Sequence, residues 1–205
     1  MPIFEKNGKK ALFIHIPKAA GTTIEDAFVD AGFEMSYRRG GKYGALNDLD
    51  KANGCSPQHL HANLLDKCLS DHSFDVSFTV VRHPLERMIS EYKFRTESRN
   101  SFALGKSLDE FADTALSEFQ NNPLFLDNHI RPQVQFLWNS CKVLKLENGL
   151  DELSELVSNL INEDVSFSGP PKMRSKKSAQ MQFSVEVEAK LRQFYTDDFK
   201  MFGYE

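Results

Sequence analysis

One segment constrains this chain more than any other: Leu12-Phe13-Ile14-His15-Ile16-Pro17-Lys18-Ala19-Ala20-Gly21-Thr22-Thr23. Its first five, mostly apolar residues read as a buried strand. A tight turn follows, and a helical pattern runs from Ile24 to Ala31. Strand, small-residue loop and helix start together expose a concave set of backbone N–H groups, which suits a phosphate. Lys18 adds a cationic donor. The Walker A pattern G-x-x-x-x-G-K-[ST] is absent, because here the lysine precedes the glycine and the leading glycine is missing.

At 205 residues the chain is long enough for one domain with a substantial core, and we read residues 1–205 as one domain. Hydrophobic residues make up 40% and charged residues 26%, the balance of a soluble globular protein. A net charge of −4 gives no global pull toward nucleic acid, so an anionic ligand must be held by a local basic cluster. Cys55, Cys68 and Cys141 are odd in number and form no C-x-x-C pair, which argues for reduced thiols over a disulfide framework or a zinc site. No signal peptide or membrane-spanning run is visible, and the expected location is cytoplasmic. The sequence leaves oligomeric state open.

Three short apolar runs, Ala11–Ile16, Val76–Val81 and Val143–Leu146, each precede turn-like residues and a helical pattern. Ser107 and Glu110 form a capping box ahead of an amphipathic helix. Leu150, Leu153, Leu156, Val157, Leu160 and Ile161 line one face of another, and a last helix is expected from about Ser184 to Phe199. Strands alternating with helices predict an α/β fold with a parallel sheet, whose ligands bind at the carboxyl ends of strands. Lys18 and Arg82 fall there.

The second chemical signal is Arg82-His83-Pro84-Leu85-Glu86-Arg87-Met88-Ile89-Ser90. Arg82 leaves a strand end, and Pro84 suits the first helical position. Ser90 lies roughly 9 Å further along the helix axis. A guanidinium and a hydroxyl so placed can grip one phosphate from two sides. Two such sites on consecutive strand ends suit a nucleotide with phosphates at both ends.

Together the two segments resemble the donor sites of sulfotransferases that use 3′-phosphoadenosine 5′-phosphosulfate (PAPS, product PAP). In that superfamily a P-K-[AT]-[AG]-[GS]-T-[ST] loop binds the 5′-phosphosulfate and an R-[DH]-P-x-x-R-x-x-S element binds the 3′-phosphate. The chain looks closest to the carbohydrate branch that includes heparan sulfate 2-O-sulfotransferase, and Leu191–Phe199 is similar to that group's closing helix. The resemblance implies a P-loop-NTPase-like three-layer fold with a central parallel sheet flanked by helices. It also implies sulfuryl transfer from PAPS to a carbohydrate hydroxyl. Lys18, Ala19, Ala20, Gly21, Thr22 and Thr23 would bind the donor with Arg82 and Ser90, and Lys176 and Lys177 would close over the 3′-phosphate as a flap.

An H-x-H segment in that group supplies the catalytic base, and His59 and His61 match it. Two residues apart they face different ways, so one of them is expected to reach the acceptor. The 2-O-sulfotransferase pattern favours His61 and a single-histidine bacterial pattern favours His59. His129 and Arg131, in a segment that resembles an H-x-R-P-Q pattern of bacterial relatives, are candidates to line the acceptor cleft or touch the donor, the other reading being a plain loop with a helix-starting proline. His15 is expected to be a core or supporting histidine, Arg87 to be a structural residue or a surface salt bridge, and Arg38, Arg39 and Lys42 to form a basic surface turn, with an anionic glycan as the other reading. No metal is expected, since the sequence shows no ligand cluster. Two other readings compete: a P-loop-like ATP-dependent kinase, which Ala19 in place of a Ser or Thr after Lys18 disfavours, and a nucleotide- or glycan-binding module without catalysis.

Overall fold

The computed structural model describes residues 1–37, 54–98, 102–167 and 181–205. The basic turn at 38–44 and the Lys172–Lys177 cluster, including Lys176 and Lys177, lie outside the described residues. Asn7 and Gly8, at φ +53° and +73°, form a two-residue turn of the kind that matches strand twist. It joins β1 (Ile3–Lys6) to β2 (Lys9–Ile14) as an antiparallel hairpin. A short β3 (Glu34–Ser36) pairs antiparallel with β1. β4 (Val76–Val81) runs parallel to β2, and β5 (Lys142–Lys145) parallel to β4. The sheet order is β3-β1-β2-β4-β5. The three strands read from the sequence are thus adjacent and parallel, as an α/β fold requires. The hairpin and β3 add antiparallel pairs at one side, so the whole sheet is mixed around a parallel centre.

Helices cover both faces: α1 (Gly21–Asp30), α2 (Ala62–Leu69), α3 (Pro84–Glu97), α4 (Leu108–Asn121), α5 (Asp151–Ile161), α6 (Val185–Phe194) and α7 (Thr196–Phe202). Side chains alternate along the strands, so Phe13 and Phe78 join Ile24, Phe28 and Val157 on one face. Leu12, Ile14 and Val81 join Leu65, Phe136 and Phe202 on the other. Each fully buried large apolar side chain contributes about 1.5–3 kcal/mol. A third cluster around Met88, Phe111 and Leu191 ties α3, α4 and α6 together. The expected capping box is present: the Ser107 Oγ accepts the Glu110 N–H, and the Glu110 carboxylate accepts the Ser107 N–H. The closing helix expected from Ser184 to Phe199 is instead two helices that meet at Tyr195. Tyr195 is buried, and its hydroxyl donates to the Ile130 carbonyl at 2.8 Å.

Three devices bring the loops together. Thr79 Oγ donates to the Ile14 carbonyl at 2.7 Å and locks β4 to β2 at their carboxyl ends. The Gln133 amide exchanges two hydrogen bonds with the Arg82 backbone, at 2.9 and 2.8 Å. Arg87, only 1% exposed, donates to the His129 and Arg131 carbonyls at 2.9 and 2.8 Å, which confirms its structural role. Together these bonds swing the 127–136 segment over the ends of β2 and β4.

Candidate active site

A cleft of about 470 Å³ opens at the carboxyl ends of β2 and β4. Lys18, Ala20, Gly21, Thr22, Thr23, Arg82, Ser90, His59 and His129 all line it. The loop that makes it is bent: Lys18 and Ala20 adopt φ +67° and +64°, with Ala19 buried between them. Alternation of this kind turns successive N–H groups toward one point. The helix α1 that follows has no side-chain cap and no acid in its first turn. Its first N–H groups therefore face the cleft, backed by the positive end of the helix dipole. Ala19 contributes to the bend and does not line the cleft.

Gly21 has a different reason from the one its place in a phosphate loop suggests. It does not adopt a left-handed φ. A Cβ placed on it would fall among the Nε2, Cε1 and Cδ2 atoms of His15. The His15 ring occupies that space, and its Nδ1 lies 2.8 Å from Glu25 Oε1. Burial is the largest influence on His15 and holds it toward the neutral form.

Lys18 Nζ sits 4.0 Å above the Phe94 ring, which is 43% exposed on the cleft wall. Burial lowers the Lys18 pKa, with Glu91 opposing and Arg95 and Arg82 reinforcing the shift. An incoming anion would reverse that trend. Arg82 reaches the Lys18 carbonyl at 3.4 Å and Glu86 at 3.6 Å, so the two phosphate signals touch. Ser90 follows two turns along α3, as its spacing requires.

Three histidines stand in a row on the cleft floor. His15 meets His59 edge to face at 5.0 Å, and His59 meets His129 at 4.9 Å. Each offers Nδ1 to a carboxylate: His15 to Glu25, His59 to Asp127 at 2.8 Å and His129 to Glu91 at 2.7 Å. His59 is 5% exposed, and burial pushes its pKa below the ordinary value although Asp127 pulls the other way. Its Nε2 lies 3.2 Å from the Gln58 side-chain amide. Burial works to raise the Glu91 pKa, but His129 and Arg95 outweigh it and hold the carboxyl at about 2. The turn that delivers Asp127 is strained: Leu126, Asp127 and Asn128 have φ +52°, +60° and +66° in succession. Left-handed backbone costs roughly 1–2 kcal/mol per ordinary residue, and strain of this kind concentrates at functional sites.

Two sequence candidates lie away from the cleft lining. His61 is the residue before α2, where its carbonyl accepts from Leu64 and Leu65. Its Nδ1 is buried without a hydrogen-bond partner, and burial, with Arg131 and Lys67, lowers its pKa to about 4. Arg131 is 7% exposed and uses its guanidinium on Asn128, Gln135 and the Pro123 carbonyl, so it braces the loop and does not face an acceptor. The absence of a metal-ligand cluster also needs correcting. His59, Asp127 and His129 each offer a ligand atom within 4.8 Å of one another, a grouping hidden by their separation in sequence. In this structure those histidines direct Nδ1 to carboxylates. Sequence reasoning missed Asp127, Glu91, Glu25, Gln58 and Phe94, because nothing local to each marks it.

A cradle for an anion at a helix N-terminus, facing carboxylate-backed histidines across a cleft, suits an enzyme that moves an anionic group to an acceptor. The sulfotransferase family model matches residues 2–205, and the chain belongs to that family. It is a sulfotransferase, an enzyme of sulfuryl transfer to a hydroxyl-bearing acceptor, in a family whose usual donor is PAPS. The kinase reading falls with that assignment. No curated protein and no solved structure matched the chain. No helix among the described residues is long and apolar enough to cross a membrane.

Proposed function

We propose that this chain, acting as one domain, transfers the sulfuryl group of PAPS to a hydroxyl of a carbohydrate, with His59 as the base. The observation that carries the reading is the convergence of the α1 N–H groups, Lys18, Arg82, Ser90 and His59 on one cleft. The uncapped N-terminus of α1 and the cation beside it fit an anionic donor. Arg82 and Ser90 hold the 3′-phosphate and so set the donor's register. Lys18 leaves Phe94 and, with the loop N–H groups, stabilises charge on the bridging oxygen as its bond to sulfur breaks. His59 Nε2 exchanges the Gln58 amide for the acceptor hydroxyl and takes its proton as the new oxygen–sulfur bond forms. Anionic charge arriving beside His59 raises its basicity from the low value of the empty cleft. The carbohydrate assignment rests on the likeness of both motifs to that branch.

Labelled-sulfate transfer from PAPS to a panel of glycans tests the reading, together with thermal shift by PAP, ATP and ATP–magnesium. PAP should stabilise the protein most, and His59→Ala should lose transfer while His61→Ala keeps most of it. No shift at saturating PAP, or full transfer by His59→Ala, overturns it.

A further inference from the structure

We propose that Asp127 is a positioning residue: it fixes His59 in the Nδ1–H tautomer, so that the Nε2 lone pair faces the acceptor. The proposal rests on the reading of His59 as the base. An ionised carboxylate only accepts hydrogen bonds. Asp127 Oδ2 lies 2.8 Å from His59 Nδ1, so the ring proton belongs on Nδ1. Ser56 sets the carboxylate, donating its backbone N–H to Oδ1 at 2.6 Å and its hydroxyl to Oδ2 at 2.7 Å, and the same Oγ lies 3.2 Å from His59 Nδ1.

The three left-handed residues give this arrangement its geometry. They turn the chain so that Asp127 meets the ring of His59 while Asn128 Nδ2 donates to the His59 carbonyl at 2.8 Å. Arg131 Nε in turn holds Asn128 Oδ1 at 2.8 Å. One turn therefore grips His59 at backbone and ring together, from 68 residues away along the chain. Asp127 and Asn128 tolerate left-handed backbone better than Leu126 does, and the bonds to His59 and Ser56 are what the turn secures. When Nε2 receives the acceptor proton, the imidazolium keeps its second N–H on Asp127, whose charge offsets the new one.

Asp127→Asn makes a sharp test, because the backbone decides how the amide sits. The Ser56 N–H needs an acceptor, so the asparagine oxygen takes the Oδ1 place and its NH₂ faces His59 Nδ1. The ring proton must then move to Nε2, which blocks the base. Nitrogen-15 spectra of histidine-labelled protein read the tautomer directly and need no acceptor. The expected result is Nδ1–H in the wild type and Nε2–H in Asp127→Asn. Turnover should drop by about 10²–10⁴-fold, with the PAP dissociation constant within threefold of wild type. Ser56→Ala keeps the backbone bond and loses the hydroxyl contacts with Asp127 and His59, leaving Asp127 alone to hold Nδ1–H; it should lower turnover by about three- to tenfold without changing the tautomer. That variant carries the test if Asp127→Asn does not fold. Full transfer by His59→Ala overturns the base reading itself. If His59 is required, yet Asp127→Asn keeps Nδ1–H and more than a third of wild-type turnover, the positioning role is overturned instead. Wild-type turnover in Ser56→Ala likewise counts against it.

Discussion

Replacing Gly21 by alanine separates two reasons for a glycine in a phosphate loop. If the residue served only helix formation, alanine would stabilise the first turn of α1 by up to about 1 kcal/mol. The structure predicts the reverse, because the new Cβ would lie among three atoms of the His15 imidazole. Ordinary contact needs about 3.5–4 Å, so the ring must retreat by more than about 1 Å. Its retreat is resisted on every side but the cleft: His15 is 6% exposed, tied to Glu25 and packed against Phe13 and His59. Overpacking costs about 1–3 kcal/mol, and a rigid site belongs at the upper end. A net loss of about 2 kcal/mol lowers Tm by roughly 4–8 °C in a chain of this size. Differential scanning calorimetry measures it. Because His15 touches His59, the variant should also lose transfer activity. His15→Ala opens the space, so the double variant should be more stable than the sum of the single changes, by about 0.5–3 kcal/mol. A Tm at or above wild type in Gly21→Ala, or strict additivity in the cycle, refutes the argument.

Lys18→Ala should lower kcat by about 10²–10³-fold while weakening PAP binding much less, as measured by steady-state kinetics and calorimetric titration, because its charge acts on the departing oxygen. Arg82→Ala should behave oppositely and weaken PAP binding by about 10–100-fold, since it removes a charge-assisted grip on the 3′-phosphate. Stability should fall with acid through Glu91. Its folded pKa of about 2 lies below the ordinary 4.5, so its contribution is complete above pH 4.5 and is lost as pH falls toward 2. That contribution is on the order of 3 kcal/mol, and in Glu91→Gln the decline of Tm over that window should be shallower.

The parts of the site that were legible are those whose neighbours in space are neighbours in sequence. The Lys18 loop and the Arg82–Ser90 segment each combine a strand end, a turn and a helix start in a dozen residues or fewer, so local patterns reveal both geometry and charge. The capping box at Ser107 and the apolar face of α5 were readable for the same reason. The Asn7-Gly8 turn was an available signal for the β1–β2 hairpin, overlooked because the apolar run after it looked complete as a single strand. The break at Tyr195 was invisible locally, since the pattern of Val187, Leu191, Phe194 and Tyr195 continues smoothly, and only the packing of Tyr195 against Ile130 and Arg87 shows where the chain turns.

Local order in this sequence suffices to define an α/β sheet with an anion cradle at one strand end and a second phosphate grip at the next, because strand, loop and helix propensities act over a few residues. It does not decide which histidine faces the cleft. His59 and His61 are two residues apart and chemically alike. The choice was made by a strained turn 68 residues from His59, whose segment is held in place by Arg87, the Arg82 backbone and Asp198 from three other elements. The same kind of long-range contact brings Asp127 to His59 and Glu91 to His129. Pairings across such distances depend on the closed sheet and its covering helices, and only the folded chain contains them.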